Sequence, residues 1–501
     1  MKKITIIGGG LGGMSAAISL AKNKDFMITL IEKNNHLGGK LNVKKMDGFT
    51  FDLGPSIFTM PHYFDKLFSM HNKNRKDYFE LVPVSPHWRN FFEDGKIIDL
   101  KDSLEKMKNE KSISRKDFEE LKKFYTYSEK LYTFTNEVLF KNQSENFIQT
   151  MQHYPIHKII PDSDYFKTMD EGIKQYISNP YLIDILNYFI KYVGSSPYDS
   201  PAVLNLLPFI QWKFGLWYVK GGMFEASKGL TKLIEELPNI KVVLESEVDS
   251  VNYRDGEPYD IKKEIKSVIL KDKTEILTDI LVSNMEAIPF YKYILKLKEK
   301  KYKRLLKYGP ACSGFALHLG VKKIYPQLAH HNFFFSKDLR KNFECIFHNH
   351  ELHDDPTIYL VAPMKTDPNQ GPDGHEIIKI LPHISVIDPK KPFTSEEYNN
   401  FENYILDKLE RMGLKDLRKN IVSRELWTPE KIQQTYYSNQ GSIYGVEANR
   451  KKNLGFKIPK KSHLFNNLFF VGGTTNPGGG MPMVVLSGQQ VAEQIIKKLN
   501  K

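Results

Sequence analysis

The first residues whose types and spacing could do chemistry are three glycines and one acid. Gly8, Gly10 and Gly13 fall in the pattern G-x-G-x-x-G. Gly8 permits a tight turn, Gly10 lets backbone approach a pyrophosphate, and Gly13 lets a helix pack closely on a strand. The apolar run Lys3–Ile7 predicts a strand before them. Leu11–Lys22 predicts a helix after them, whose N-terminus offers unpaired N–H groups and a positive dipole end to phosphate. A second strand, Met27–Ile31, runs into Glu32. A carboxylate at that distance holds ribose hydroxyls and repels a 2′-phosphate, which disfavours NADP. The register of strand, turn, helix, strand and acid separates this pattern from a glycine-rich turn without a ligand.

A second glycine-rich stretch closes the chain. Asn467–Val471 predicts a strand, Val485–Leu499 a helix, and Gly472–Met483 the turn between them. Glycine disfavours regular structure by about 0.5–1 kcal/mol relative to alanine, so its concentration here points to backbone lying against a ligand. Gly38-Gly39-Lys40 and Gly54-Pro55 carry the same suggestion, on either side of a hairpin over 43–52 that turns at Asp47-Gly48. Other candidates are weaker. His330-His331 lies beside a predicted strand and reads as structural. The run from His348 to Asp355 lacks the spacing His-Glu-x-x-His and reads as an exposed loop rather than a metal site. No serine or cysteine nucleophile constellation is visible, and no catalytic residue is assigned.

These sites must be positioned by a chain of 501 residues, long enough for two to three domain-sized units. The mean hydropathy of −0.43 suits a globular body. The net charge of +13 favours anionic partners, but no nucleic-acid fold signature accompanies it. Cys312 and Cys345 form no CxxC pair, consistent with unpaired thiols in a reducing compartment. The glycine turn interrupts the apolar N-terminus, so no signal peptide is expected. No window predicts a transmembrane helix, and any membrane contact comes from one side. Residues 71–150 predict an inserted helical region, with helical spacing over Lys116–Phe140. Residues 181–193 and Pro201–Tyr218 are apolar enough for core or for a cavity wall. Tyr291–Tyr308 predicts a lysine-rich helix, and strands follow over 311–385 as the floor of a substrate cavity. Trp427-Thr428-Pro429 predicts the start of a loop.

Read together, Gly8-x-Gly10-x-x-Gly13, Glu32, Gly38-Gly39, Asp52-x-Gly54-Pro55 and Gly472–Met483 make the chain resemble the FAD-dependent carotenoid desaturase and oxidase family, nearly end to end. Tyr192–Ser196, Gly215–Val219 and His330–Phe335 resemble the branch that oxidises a terminal methyl group of a C30 carotenoid. The resemblance implies an α/β fold: a discontinuous, glutathione-reductase-like FAD-binding Rossmann domain with an inserted α+β substrate domain. The segments expected are 1–70, 221–290 and 421–501 for the first, and 71–220 and 291–420 for the second. It implies FAD contacts at Gly8, Gly10, Leu11, Gly13, Glu32, Lys33, Gly39, Lys40, Asp52, Gly54, Pro55, Val248, Gly473, Thr474, Met481 and Met483. Two positions depart from the pattern: Lys40 stands where many relatives have arginine, and Thr474 where many flavoproteins have aspartate.

The implied partners are a long apolar polyene, one leaflet of the membrane on its cytoplasmic face, and O₂ or a quinone-like electron acceptor. The implied reaction is stepwise oxidation of the methyl group to aldehyde or carboxyl. A carotenoid desaturase, an amine oxidase using Tyr436-Tyr437 as part of an aromatic cage, and a non-catalytic lipid-binding escort are the alternatives. Product analysis, peroxide formation with amines, and flavin colour discriminate them respectively.

Overall fold

The computed structural model describes residues 1–254 and 262–500. A parallel five-stranded sheet forms the nucleotide-binding half, in the spatial order Leu468–Phe470, Ile280–Ser283, Lys2–Ile7, Phe26–Ile31 and Ile240–Val243. Its strands are near-continuous apolar runs because both faces are covered. The helix Leu11–Leu20 is buried along its whole length. It packs against the C-terminal helix Met481–Leu499 at a crossing set by small residues. A Cβ on Gly488 would stand 2.6 Å from the Gly12 carbonyl oxygen and 2.7 Å from the Ala16 nitrogen. Ser15 Oγ donates to the Val485 carbonyl at 2.6 Å across the same contact. The two ends of the chain are thereby locked together beneath the sheet's carboxyl edge.

The second half is built on a mixed sheet. Its order is Ile421–Trp427, Ala316–Val321, Glu376–Ile384, Ile358–Val361, His331–Phe334, Trp88–Phe91 and Ile97–Leu100, with Ser313–Gly314 pairing onto Glu376–Ile384. All pairings are antiparallel except that between His331–Phe334 and Trp88–Phe91. Alternation along Glu376–Ile384 divides its side chains between two faces. Ile378 and Ile380 pack under the helix Ser395–Arg411, with Phe401, Ile405 and Leu409. Lys379 and Leu381 face the opposite way, toward the site. The helix Arg115–Thr135 opens on a capping box between Ser114 and Asp117. With Leu206–Phe214 it forms the helical wall of this half.

Several sequence expectations are corrected. Residues 71–150 are not wholly helical. Trp88–Phe91 and Ile97–Leu100 are strands of the second sheet, with Trp88 and Asn90 buried and Arg89 turned outward to Asp99. Tyr291–Tyr308 is no continuous helix but a π-turn, Phe290–Ile294, and two short 3₁₀ turns. Its tyrosines do not form an outer row, since Tyr291 and Tyr302 are buried in the core beside Phe470. Trp427-Thr428-Pro429 does not start a loop. It joins the strand Ile421–Trp427, an edge of the second sheet rather than part of the nucleotide sheet, to the helix Pro429–Tyr436. The final helix begins at Met481 rather than Val485, because Pro482 suits a first helical turn.

Candidate active site

Two cavities meet inside the molecule. The first is a cleft of about 350 Å³ at the carboxyl edge of the parallel sheet. Gly8, Gly10, Leu11, Glu32, Lys33, Gly39, Lys40, Gly54, Pro55, Val248, Gly473 and Met481 all line it. Gly13, Asp52 and Thr474 stand behind this lining. A Cβ on Gly13 would lie 2.1 Å from the Gly8 carbonyl oxygen, so glycine is required there for packing. The Asp52 carboxylate accepts the Met223 N–H at 2.9 Å, and Thr474 Oγ1 accepts that of Ala287 at 3.4 Å. Met483 lines the second cavity instead.

The first cleft has the donors and acceptors a dinucleotide needs. The helices Leu11–Leu20 and Met481–Leu499 both open onto it, through Gly10 and Gly480, and neither carries a side-chain cap. Two sets of N–H groups and two positive dipole ends therefore converge on one place, which suits a diphosphate. Glu32 is buried; its Oε2 accepts the Gly9 N–H at 2.7 Å, and its Oε1 accepts the Asn34 N–H at 3.0 Å and Asn34 Nδ2 at 2.7 Å. Each carboxylate oxygen has two acceptor sites, so Oε2 keeps one for a ribose hydroxyl.

Two of the lysines lining the cleft, Lys33 and Lys40, are held by protein. Lys33 Nζ donates to the Thr435 carbonyl at 2.6 Å and stands 3.8 Å above the Tyr437 ring. Lys40 Nζ reaches Glu286 at 3.4 Å and the carbonyls of Ser442 and Ile443, both at 3.2 Å. Burial raises the Glu286 pKa against the opposing effect of Lys40. Tyr437 bonds Glu247 at the end of the cleft that holds Lys33, so it is not placed as a cage around the second cavity.

The second cavity, about 250 Å³, is walled by apolar side chains of the helical wall and the second sheet, among them Phe134, Val138, Leu204, Leu207 and Ile210. Gly54, Pro55, Leu381, Tyr444, Gly479, Gly480 and Met481 line both cavities. This shared wall is the junction of the site. Two buried lysines flank it. Lys379 Nζ donates to the Asp52 carbonyl at 3.1 Å, the Gly54 carbonyl and Ser56 Oγ. Burial lowers its pKa to about 8, and burial likewise raises that of Asp52 to about 6. Lys457 donates to the Val446 carbonyl at 2.5 Å, and burial brings its pKa down to about 7.

His330 and His331 do not reach either lining. His330 Nδ1 pairs with Thr366 Oγ1 at 2.7 Å, and His331 Nδ1 with the Tyr359 hydroxyl at 2.9 Å. Burial lowers the pKa of His330 to about 3 and that of His331 well below the usual range, so both are neutral. Among the described residues no group of three or more His, Cys, Asp or Glu side chains is placed to hold a metal ion.

Sequence reasoning missed Asn284, Glu286, Lys379 and Lys191. Asn284 follows the strand Ile280–Ser283 and donates from Nδ2 to the Gly8 carbonyl at 3.2 Å. It lies against Gly10, Gly12 and Gly472, tying the N- and C-terminal glycine loops together. Lone polar residues such as these have no spacing to announce them. The one available signal was a single cation in an apolar run, as at Lys191.

Residues 6–73 match the family described as NAD(P)-binding Rossmann-like domain. The chain is 51% identical over 499 residues to a 4,4′-diapolycopene oxygenase of Methylomonas sp, covering 99% of each. It is 48% identical to a 4,4′-diaponeurosporene oxygenase of Staphylococcus haemolyticus strain JCSC1435, over 99% of this chain and 97% of that one. Cyclohexylamine oxidase from Brevibacterium oxydans IH-35A has a similar structure, with a TM-score of 0.62, 13% identity and 100% coverage of both chains, which establishes a shared fold. With a dinucleotide cleft at the edge of a parallel sheet and relatives of this closeness over its whole length, the chain is an oxidoreductase and belongs to the carotenoid desaturase and oxidase family, in the branch of the 4,4′-diapolycopene and 4,4′-diaponeurosporene oxygenases.

Proposed function

We propose that this chain binds FAD in the first cavity and oxidises a terminal methyl group of a linear C30 carotenoid held in the second, by way of the alcohol level, to the aldehyde or carboxyl. The observation that carries the reading is the wall shared by the two cavities. An apolar chain lying in one can place its end against a group bound in the other. Bound FAD supplies two-electron withdrawal from a C–H bond.

The protein's own residues bind, orient and exclude water. Glycine N–H groups of both termini and Glu32 are the groups to hold the cofactor. Leu381, Tyr444 and Met481 present the junction, and the apolar walls keep bulk water from the reacting carbon. Each buried CH₂ of a polyene contributes about 0.8 kcal/mol, so binding needs few polar contacts. Among the described residues no aspartate or glutamate lines the second cavity, which disfavours an ammonium-bearing substrate despite the fold shared with amine oxidases.

A polyene reaches such a cavity from lipid. The helix Ile156–Ser163 presents Ile159 and Ser163 to the cavity and leaves Ile156 and Ile160 exposed, one turn apart on its outer side. Ile148 and Phe166, on neighbouring segments of the chain, are each 65% exposed. Lys158 lies on the same helix as Ile156 and Ile160, while Lys141 and Lys167 pair with Glu137 and Asp164. We read the outer side of this helix as the face that docks on one leaflet of an anionic membrane. No described helix is long and apolar enough to cross a membrane.

The test is incubation of holoenzyme with detergent-solubilised 4,4′-diaponeurosporene under ¹⁸O₂ and, separately, in H₂¹⁸O. Oxygenated terminal carbons are expected, with the label naming the oxygen source. Products with added double bonds and no oxygen overturn the reading in favour of a desaturase.

A further inference from the structure

Lys191 is 4% exposed and sits in the 3₁₀ turn Tyr188–Tyr192, at the end of the helix Pro180–Asn187. Its Nζ lies within a box of four rings, 4.1 Å from the centroid of Tyr359, 4.7 Å from those of Tyr192 and Phe333, and 4.8 Å from that of Trp88. Among the described residues it makes no hydrogen bond and no ion pair, and burial alone acts on its ionisation. Lys379 and Lys457, by contrast, are tied to carbonyl oxygens. Lys191 lines the apolar cavity beside the junction. Its cage residue Tyr359 pairs across the second sheet with Leu381, and Leu381 and Tyr444 line both cavities.

Two effects compete over its protonation. Each ring attracts a desolvated ammonium by about 2 kcal/mol. Removing an unpaired ammonium from water costs several kcal/mol. Burial holds the Lys191 pKa well below its ordinary value, so the neutral amine is accessible. The titratable groups facing it do not reverse this. His331 and His383 are buried and neutral, and the hydroxyls of Tyr192, Tyr359 and Tyr444 are held protonated by burial. An unpartnered neutral amine in an apolar cavity is a nucleophile, as in enzymes that use a desolvated lysine against a carbonyl.

We propose that Lys191 captures the carbonyl end of an apolar conjugated aldehyde in this cavity as an imine. The Nζ lone pair forms a bond to the carbonyl carbon. The carbonyl oxygen then leaves as water with the two amine protons, and a C=N bond replaces C=O. No oxidant or reductant takes part, and addition of water reverses the step. The imine keeps the end of an aldehyde product beside the dinucleotide cleft until hydrolysis frees it. The inference rests on the reading that the cavity takes polyenes and that an aldehyde arises there.

The test uses holoenzyme, all-trans-retinal as a long apolar aldehyde, and sodium cyanoborohydride at neutral pH, followed by peptide mapping. Binding is followed separately by quenching of tryptophan fluorescence. The expected result is saturable quenching and a reduced adduct on Lys191 at least about tenfold above that on any surface lysine, because a surface amine with a pKa near 10.4 is neutral in only about one part in a few thousand at pH 7. Lys191→Met should keep the quenching and lose the adduct. Quenching without a Lys191 adduct, or adducts spread evenly over surface lysines, overturns this proposal and leaves the cavity reading intact. Absence of saturable quenching overturns both. The wild-type peptide map decides the matter even if the variant does not fold.

Discussion

The two cavities that meet at Leu381 and Tyr444 are built in opposite ways. The dinucleotide cleft is made largely of backbone. An added methyl group would collide with main chain at Gly38, Gly54 and Gly479 and with the Asn284 side chain at Gly10, Gly12 and Gly472, and the polar groups it offers are N–H groups at two helix ends and one carboxylate. The apolar cavity is made of side chains contributed by helices, strands and loops far apart in the chain. Backbone walls fix a ligand by geometry, and one atom too many abolishes the site. Side-chain walls hold a ligand by area, and a single change weakens binding without altering the frame.

The largest expected effect comes from filling the backbone site. In Gly13→Ala the new Cβ has the Gly8 carbonyl oxygen at 2.1 Å, with no flexible side chain to yield. The cost sits at or above the upper end of the ~1–3 kcal/mol typical of overpacking. Purified variant should be colourless or fail to fold, read as flavin absorbance per protein and by thermal melting. The side-chain cavity should respond more gently. Leu207→Asn places an amide against the polyene, and an unpaired polar group costs about 1–3 kcal/mol. Product formation at limiting substrate should fall about 10- to 100-fold on that scale, with flavin content and melting temperature near wild type.

The outer face of the same cavity gives the next effect. Ile156→Glu combined with Ile160→Glu should weaken sedimentation with anionic vesicles about tenfold or more, since each apolar side chain inserted is worth ~1 kcal/mol or above. Activity on detergent-solubilised substrate should persist.

The last effect, confined to a pH window, belongs to Asp52, behind the cleft. Burial raises its folded pKa to about 6 from 3.8, so the fold favours its protonated form. That contribution is fully present below the unfolded value and is lost as pH rises through about 6. Wild-type protein should therefore lose stability relative to Asp52→Asn between pH 4 and 6, by at most about 3 kcal/mol, or a few degrees in melting temperature. Identical pH profiles for the two proteins would remove Asp52 from this account.

The same contrast decides what could be read from the sequence. Backbone-built parts show themselves locally, because glycine spacing, a following helix and Glu32 all lie within a short stretch. The contact between the terminal helices turns on Gly488, which lies inside the predicted helix Val485–Leu499. The side-chain cavity has no such signature, since its walls come from non-adjacent segments whose residues also suit ordinary core. Trp88–Phe91 was hidden in a stretch rich in charges, and its Trp88 and Phe91 pack into two different cores. At 291–308 the sequence predicts a lysine-rich helix, but apolar neighbours draw Tyr291 and Tyr302 inward and the helix breaks into short turns. Lys40 fits the glycine pattern around it, yet Glu286 and two carbonyls compete for its charge, and those partners come from distant segments.

The central claim is that the end of a polyene in the apolar cavity reaches the reactive part of a flavin in the cleft. The most direct measurement is anaerobic rapid mixing of yellow holoenzyme with 4,4′-diaponeurosporene, following the flavin band and the polyene together. The account predicts that the yellow colour fades in step with conversion of one terminal methyl group per flavin to the alcohol, with water as the oxygen source. Polyene bound at saturation with the flavin band unchanged and no methyl group consumed, both anaerobically and after O₂ is admitted, would contradict it.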